Sequence, residues 1–120
     1  MSEVQTSLAE ATKRPWVEQR KWVRHLCPPE TRCLVTVPTP GVGLLPAVVR
    51  NISAGGISLA LRHPVAVGTV LDIHLSNATH DYCCDLEVRV VFVIGSREGD
   101  FALGGSFNRV LSDEELQKLL

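Results

Sequence analysis

Between residues 31 and 107 the chain repeats one device: a short run of alternating apolar and polar residues, closed by a cluster of turn formers. Successive side chains on a strand point to opposite sides, so a period of two marks a strand with one buried face. Six such runs cover residues 31–37, 44–53, 57–62, 70–75, 83–94 and 101–107. In the first, Cys33, Val35 and Val37 alternate with Arg32, Leu34 and Thr36. In the third, Ile57, Leu59 and Leu61 share one face. In the fourth, Leu71, Ile73 and Leu75 oppose Val70, Asp72 and His74. In the fifth, Leu86, Val88, Val90 and Phe92 oppose Glu87, Arg89 and Val91. Pro46 lacks an amide donor, which makes the first half of its run an edge or a bulge. Residues 38–43, 54–56, 63–68, 76–81 and 95–100 supply the turns. Strands do not alternate with helices, which excludes a doubly wound sheet. Six short strands at roughly even spacing predict an all-β fold, a small six-stranded antiparallel β-barrel.

The ends of the chain differ from this middle. Residues 1–15 read as a frayed arm with at most a short helix, residues 16–25 as an extended or partly helical arm, and Pro28-Pro29 stops any helix there. We therefore divide the chain into a flexible N-terminal arm, residues 1–17, and a barrel domain, residues 18–120. Ser112 opens a short C-terminal helix: with Glu115 three residues on it forms a capping box, and Asp113, Glu114 and Glu115 suit the positive helix start. Leu116, Leu119 and Leu120 share a face that can cover one barrel end.

A chain of 120 residues supports one core. Its 45% apolar and 21% charged residues are ordinary for a globular protein. Net charge is −1, yet Lys13, Arg14, Arg20, Lys21, Arg24 and Arg32 crowd one segment against only Glu18 and Glu30. A local basic patch on a mildly acidic body suits a small anionic ligand better than a long nucleic-acid track. Six aromatic residues leave few stacking platforms for a single-stranded nucleic acid, so no nucleic-acid partner is expected. No stretch reaches the length of a membrane span, and residues 1–15 lack the apolar core of a signal peptide. The expected location is the cytoplasm, without membrane insertion. In that compartment the sequons at Asn51 and Asn77 carry no glycan. Cys27, Cys33, Cys83 and Cys84 follow no metal or redox spacing and read as buried free thiols. A zinc site from His25, Cys27 and Cys33 would lack the usual C-x-x-C knuckle, so no metal is expected.

Two short motifs remain. Arg20 and Arg24 stand four residues apart, with Trp22 between them. A guanidinium is a planar fork that matches a phosphate or the O6/N7 edge of guanine, and its flat face stacks on a base. Standing alone, such a pair is more often a solvated charged stretch. Asn51-Ile52-Ser53-Ala54-Gly55-Gly56 is the second motif. The strand period places Asn51 and Ser53 side by side on one face with Ile52 inward. Asn51 can pair with a base edge, Ser53 can donate or accept beside it, and Gly55 and Gly56 permit positive φ and a close ligand. The bland alternative is hairpin punctuation. Gly41-Val42-Gly43 lacks the Lys and Ser/Thr of a phosphate loop, and nothing assembles into a catalytic constellation. The chain reads as a binding protein, not an enzyme.

Taken together, the motifs resemble those of the PilZ domain family. Arg20-Lys-Trp-Val-Arg24 is similar to its R-x-x-x-R motif, and Asn51-Ile-Ser-Ala-Gly-Gly56 to its [D/N]-x-S-x-x-G motif. Phe101-Ala-Leu-Gly104-Gly105-Ser-Phe107 resembles the last barrel strand of that family. The resemblance implies a receptor for the bacterial second messenger cyclic di-GMP. Arg20 and Arg24 would clamp phosphates and guanine edges from the arm, and Asn51, Ser53, Gly55 and Gly56 would surround a guanine. No cofactor beyond the ligand is implied. An arm that reorders over the ligand would alter the surface offered to a downstream protein. The alternative is a PilZ-like interaction module, an adaptor in motility or pilus assembly, that binds no nucleotide.

Overall fold

The computed structural model describes residues 22–95 and 99–120. Seven strands and one helix follow in order: β1 (His25–Leu26), β2 (Thr31–Thr36), β3 (Leu44–Ile52), β4 (Gly56–Leu61), β5 (Val70–Asn77), β6 (Tyr82–Gly95), β7 (Phe101–Phe107) and α1 (Asp113–Leu119). Every pairing is antiparallel. The sheet order is β1-β3-β2-β5-β6-β7-β4, and a further β3–β4 pairing closes six of the strands into a ring. β1 lies outside that ring, on β3. The expected six-stranded barrel is therefore present, and so is the short C-terminal helix.

The alternation sorts residues as their period requires. Val35, Ile57, Leu59, Leu61, Leu71, Leu75, Val88 and Leu103 are almost fully buried in one core, and Phe107 joins them. Asp72, Asp81, Asp85 and Glu87 face solvent. Pro46 behaves as expected: residues 44–47 of β3 pair only with β2, and β4 joins from Val48 onward. Pro46 pairs with Leu34 of β2 and forms a sheet edge on its other side.

Two bulges break the alternation. In β3 the register shifts between Val49 and Asn51, so Arg50 is the extra residue and remains outside. In β6 the shift lies between Val90 and Phe92. Val91 and Phe92 both become exposed, and Val93 packs on the core instead. Strict alternation had placed Phe92 inside; the extra residue moves it out. Its ring then lies over Gly104, where a Cβ would fall 2.1 Å from the ring edge. At Gly105, which faces the core, a Cβ would meet the Val88 side chain at 2.3 Å and the Arg89 carbonyl oxygen at 2.5 Å. Two adjacent glycines thus serve opposite faces of one strand.

Trp22 to Arg24 are not helical and His25 enters a strand, which is the extended alternative; residues 16–21 lie outside the described residues. Two further expectations are corrected. Of the four thiols only Cys33 is fully buried; Cys27 and Cys84 are half-buried and Cys83 is exposed. β5 continues to Asn77, which caps a 3₁₀ turn (Ala78–His80).

Helix α1 closes one barrel end. Leu116 and Leu119 are buried, and Leu120 packs on the core. The expected capping box is present, with Ser112 Oγ accepting from Glu115 N at 3.1 Å and Glu115 Oε1 accepting from Ser112 N at 3.0 Å. Thr31 Oγ1 and Asn77 Nδ2 both donate to the Leu119 carbonyl, which ties the helix end to β2 and β5. Glu115 also receives both Arg109 guanidinium nitrogens, at 2.9 and 2.8 Å, and the Tyr82 hydroxyl at 3.1 Å. The Arg109 fork, then the Ser112 amide, hold its carboxyl down at about 2, well below the usual carboxylate range. A depressed carboxyl contributes stability above its unfolded pKa and loses it as pH falls through the folded value. Wild type should therefore exceed Glu115→Gln in urea midpoint at pH 6, and the gap should close between about pH 4.5 and 2. A gap that stays constant over that window would remove the ion pair from the helix-closing role.

Candidate ligand-binding face

The second polar motif sits where β3 turns into β4. Ile52 points into the core and is fully buried. Asn51 is half-buried on the outer side, paired with Leu26 of β1 and Ser58 of β4. Ser53, expected beside Asn51 on one strand face, lies one residue past the end of β3 and is 3% exposed. Its hydroxyl instead serves the turn. It accepts from Gly55 N at 3.2 Å and Gly56 N at 3.1 Å, while Ser53 N donates to Gly56 O at 2.9 Å. Such local side-chain bonds are what favour Ser in turns. Neither Gly55 nor Gly56 takes a positive φ; both are buried, and Gly56 begins β4.

The rest of the chain pins the same turn. Phe107 N donates to Gly55 O at 2.9 Å, and Leu111 N to Ala54 O at 2.8 Å. The turn is thus bonded to the end of β7 and to the segment that leads into α1. Its shape is a property of the closed barrel, not of six residues alone.

Arg24 stands just before β1. Its Nη1 donates to Asn51 Oδ1 at 3.1 Å, a contact across 27 positions. β1 creates this contact by pairing His25 with Ile52 and Leu26 with Asn51. One arginine of the first motif and the amide of the second are therefore within one hydrogen bond. Arg20, the other arginine, lies outside the described residues.

Cross-strand register extends the face. One outer rung runs Leu26–Asn51–Ser58–Gly104–Phe92, from β1 through β3, β4 and β7 to β6. A neighbouring rung holds Gly56, Ser106 and Arg89. Arg50 joins them on the outside through the β3 bulge. The face therefore carries the Arg24, Arg50 and Arg89 guanidinium groups, the Asn51 amide, small residues in the middle and the Phe92 ring at its far side. Guanidinium groups suit phosphate, an amide suits a base edge, and an aromatic face suits a stacked base. Arg50, Arg89 and Phe92 were not singled out from sequence. The β6 bulge hides Phe92 from any period-two count, and no cluster in the chain announces the register that aligns it with Asn51.

Cys27 and Cys33 line a groove of about 700 Å³ beside the β1–β2 connection. Burial pushes Cys27 up to about 11 and Cys33 up to about 12. Both stay protonated at neutral pH, unlike a nucleophile or a metal ligand. Among the described residues no group of His, Cys, Asp or Glu could hold a metal ion. No described helix is long and apolar enough to cross a membrane.

The family model for the PilZ domain matches residues 18–120. This chain belongs to the PilZ domain family. No curated protein sequence matches it. Three of the solved structures that share its fold illustrate the likeness. The Bacillus subtilis inhibitor of motility MotI/DgrA is 15% identical, with a TM-score of 0.61, over 86% of this chain and 49% of that one. K. pneumonia MrkH in complex with c-di-GMP is 16% identical, with a TM-score of 0.59, over 86% of this chain and 49% of that one. The PilZ domain of Escherichia coli YcgR with c-di-GMP is 14% identical, with a TM-score of 0.60, over 84% of this chain and 86% of that one. This PilZ chain thus spans about half the length of MotI and MrkH and most of the YcgR domain.

Proposed function

We propose that this PilZ domain is a cytoplasmic receptor for cyclic di-GMP, with no catalytic step of its own. The observation that carries this is the Arg24–Asn51 hydrogen bond, which joins the two motifs on one outer face. In this reading Arg20 and Arg24 clamp phosphates and guanine edges, and Asn51 pairs with a base edge. Ser53, Gly55 and Gly56 complete the base-binding surface, chiefly by fixing the turn that carries Asn51. Phe92 offers a base a flat partner, and Arg50 and Arg89 add positive charge for the two phosphates. Support also comes from MrkH in complex with c-di-GMP and the YcgR PilZ domain with c-di-GMP. Residues 1–17 act as an arm and residues 18–120 as the binding domain. Binding exchanges the Arg24–Asn51 contact for contacts to ligand, which reorders the arm and alters the surface shown to a downstream protein.

Calorimetric titration with cyclic di-GMP, with GMP as the control, tests the reading. Saturable heat with the cyclic dinucleotide alone is the expected result. No heat with either compound leaves the protein as an adaptor that works through protein contacts only.

A further inference from the structure

A second face of the barrel, away from Asn51 and Phe92, is built from two outward rungs that cross the same four strands. One runs Leu44–Thr36–Asp72–Glu87 and the next Pro46–Leu34–His74–Asp85, from β3 through β2 and β5 to β6. Both rungs begin apolar and end in carboxylates. Leu44 is 62% exposed and Leu34 39%, and a groove of about 510 Å³ runs along this face, with Asn108 at its edge. Asp72 and Glu87 are direct cross-strand partners, an arrangement that costs stability because like charges oppose. Asp85 bonds His74 Nδ1 at 2.7 Å; neither Asp72 nor Glu87 has an ion-pair partner among the described residues. Arg32 and Arg89, on the flanking rungs, bound the acidic strip at either end.

We propose that this face docks an amphipathic helix of a partner protein, with leucine-type side chains along one flank and lysine or arginine along the other. Four strands side by side span about 14 Å, close to the diameter of one helix with its side chains. A helix laid along the strands sets its apolar flank on Leu44, Pro46 and Leu34. Its cationic flank meets Asp72, Asp85 and Glu87. Charge sign and the position of the apolar edge together select this occupant and orient it. The face extends the relay half of the receptor reading and rests on it only for its purpose; the docking itself needs no nucleotide. Asn108, whose Oδ1 accepts from Glu87 N at 3.1 Å, follows Phe107, whose amide bonds Gly55. The two faces are therefore joined through the end of β7.

The test is an amide-shift titration of the labelled protein, without nucleotide, using a soluble helical peptide with leucines on one flank and lysines on the other. Shifts should concentrate at Leu34, Leu44, His74 and Glu87. Affinity should fall about three- to tenfold in the Asp72→Asn/Glu87→Gln double variant, and comparably in Leu34→Ser. Shifts centred on Asn51 and Phe92, unchanged affinity in the double variant, or equal binding of a peptide with serines for leucines would each overturn the proposal. So would self-association in sedimentation that the double variant abolishes, since the occupant would then be a second copy. Docking that fails while cyclic di-GMP still binds removes this face and leaves the receptor intact.

Discussion

Phe107→Ala should lower the unfolding free energy by about 3–5 kcal/mol, the range for removing a fully buried aromatic side chain. Phe107 is fully buried in the barrel core and is the last residue of β7, opposite Val88. Its amide also holds the Gly55 carbonyl at the Ser53–Gly56 turn. The loss comes from apolar area returned to water and from a cavity whose rigid walls relax only in part. Against a typical total of about 5–15 kcal/mol it is a large fraction, so the urea midpoint should drop steeply with little change in slope. Phe107→Leu keeps most of the volume and should cost less than about 1.5 kcal/mol. Equal, small losses for both variants would mean that the end of β7 frays independently of the core, and that the turn is held by something else.

Arg24→Ala should weaken cyclic di-GMP binding ten- to over a hundredfold, the equivalent of about 1.5–3 kcal/mol for a lost charged hydrogen-bonding group. Arg24 is exposed and lies outside the barrel ring, so the melting temperature should stay close to that of the wild type. Arg24→Lys keeps the charge and loses the planar fork; it should bind between wild type and alanine if bidentate geometry matters. Calorimetry on the three proteins reads the series directly. Affinity for alanine equal to wild type would remove Arg24 from the clamp, and equal affinity for lysine would reduce its role to a point charge.

Much of the barrel was legible because its rules are local. Phe101–Phe107 coincides with its expected range, and the remaining ring strands differ by one or two residues at their ends. Polar punctuation and period-two alternation act within a few residues, so they survive in a single sequence. The capping box is equally local: Ser112 and Glu115 are three positions apart and bond as expected. Phe92 escaped because a bulge is a one-residue insertion, and one residue reverses every face that follows. β1 escaped because two residues carry no period at all; it exists only because β3 offers Asn51 and Ile52 as partners.

The candidate site divides in the same way. Residue types alone picked out Arg24, Asn51 and the serine-glycine turn, since forked cations, amides and turn formers have chemistry that needs no neighbours. They also grouped the motifs into one family pattern. Only the pairing of distant strands decided how these residues meet. It placed Arg24 on Asn51 through β1 and brought Phe92 and Arg89 around from β6. It also aligned Leu34 and Leu44 with three carboxylates on a separate face. The physical reason is register: it depends on hydrogen-bonded pairing between distant strands, and a shift of one residue exchanges inside for outside.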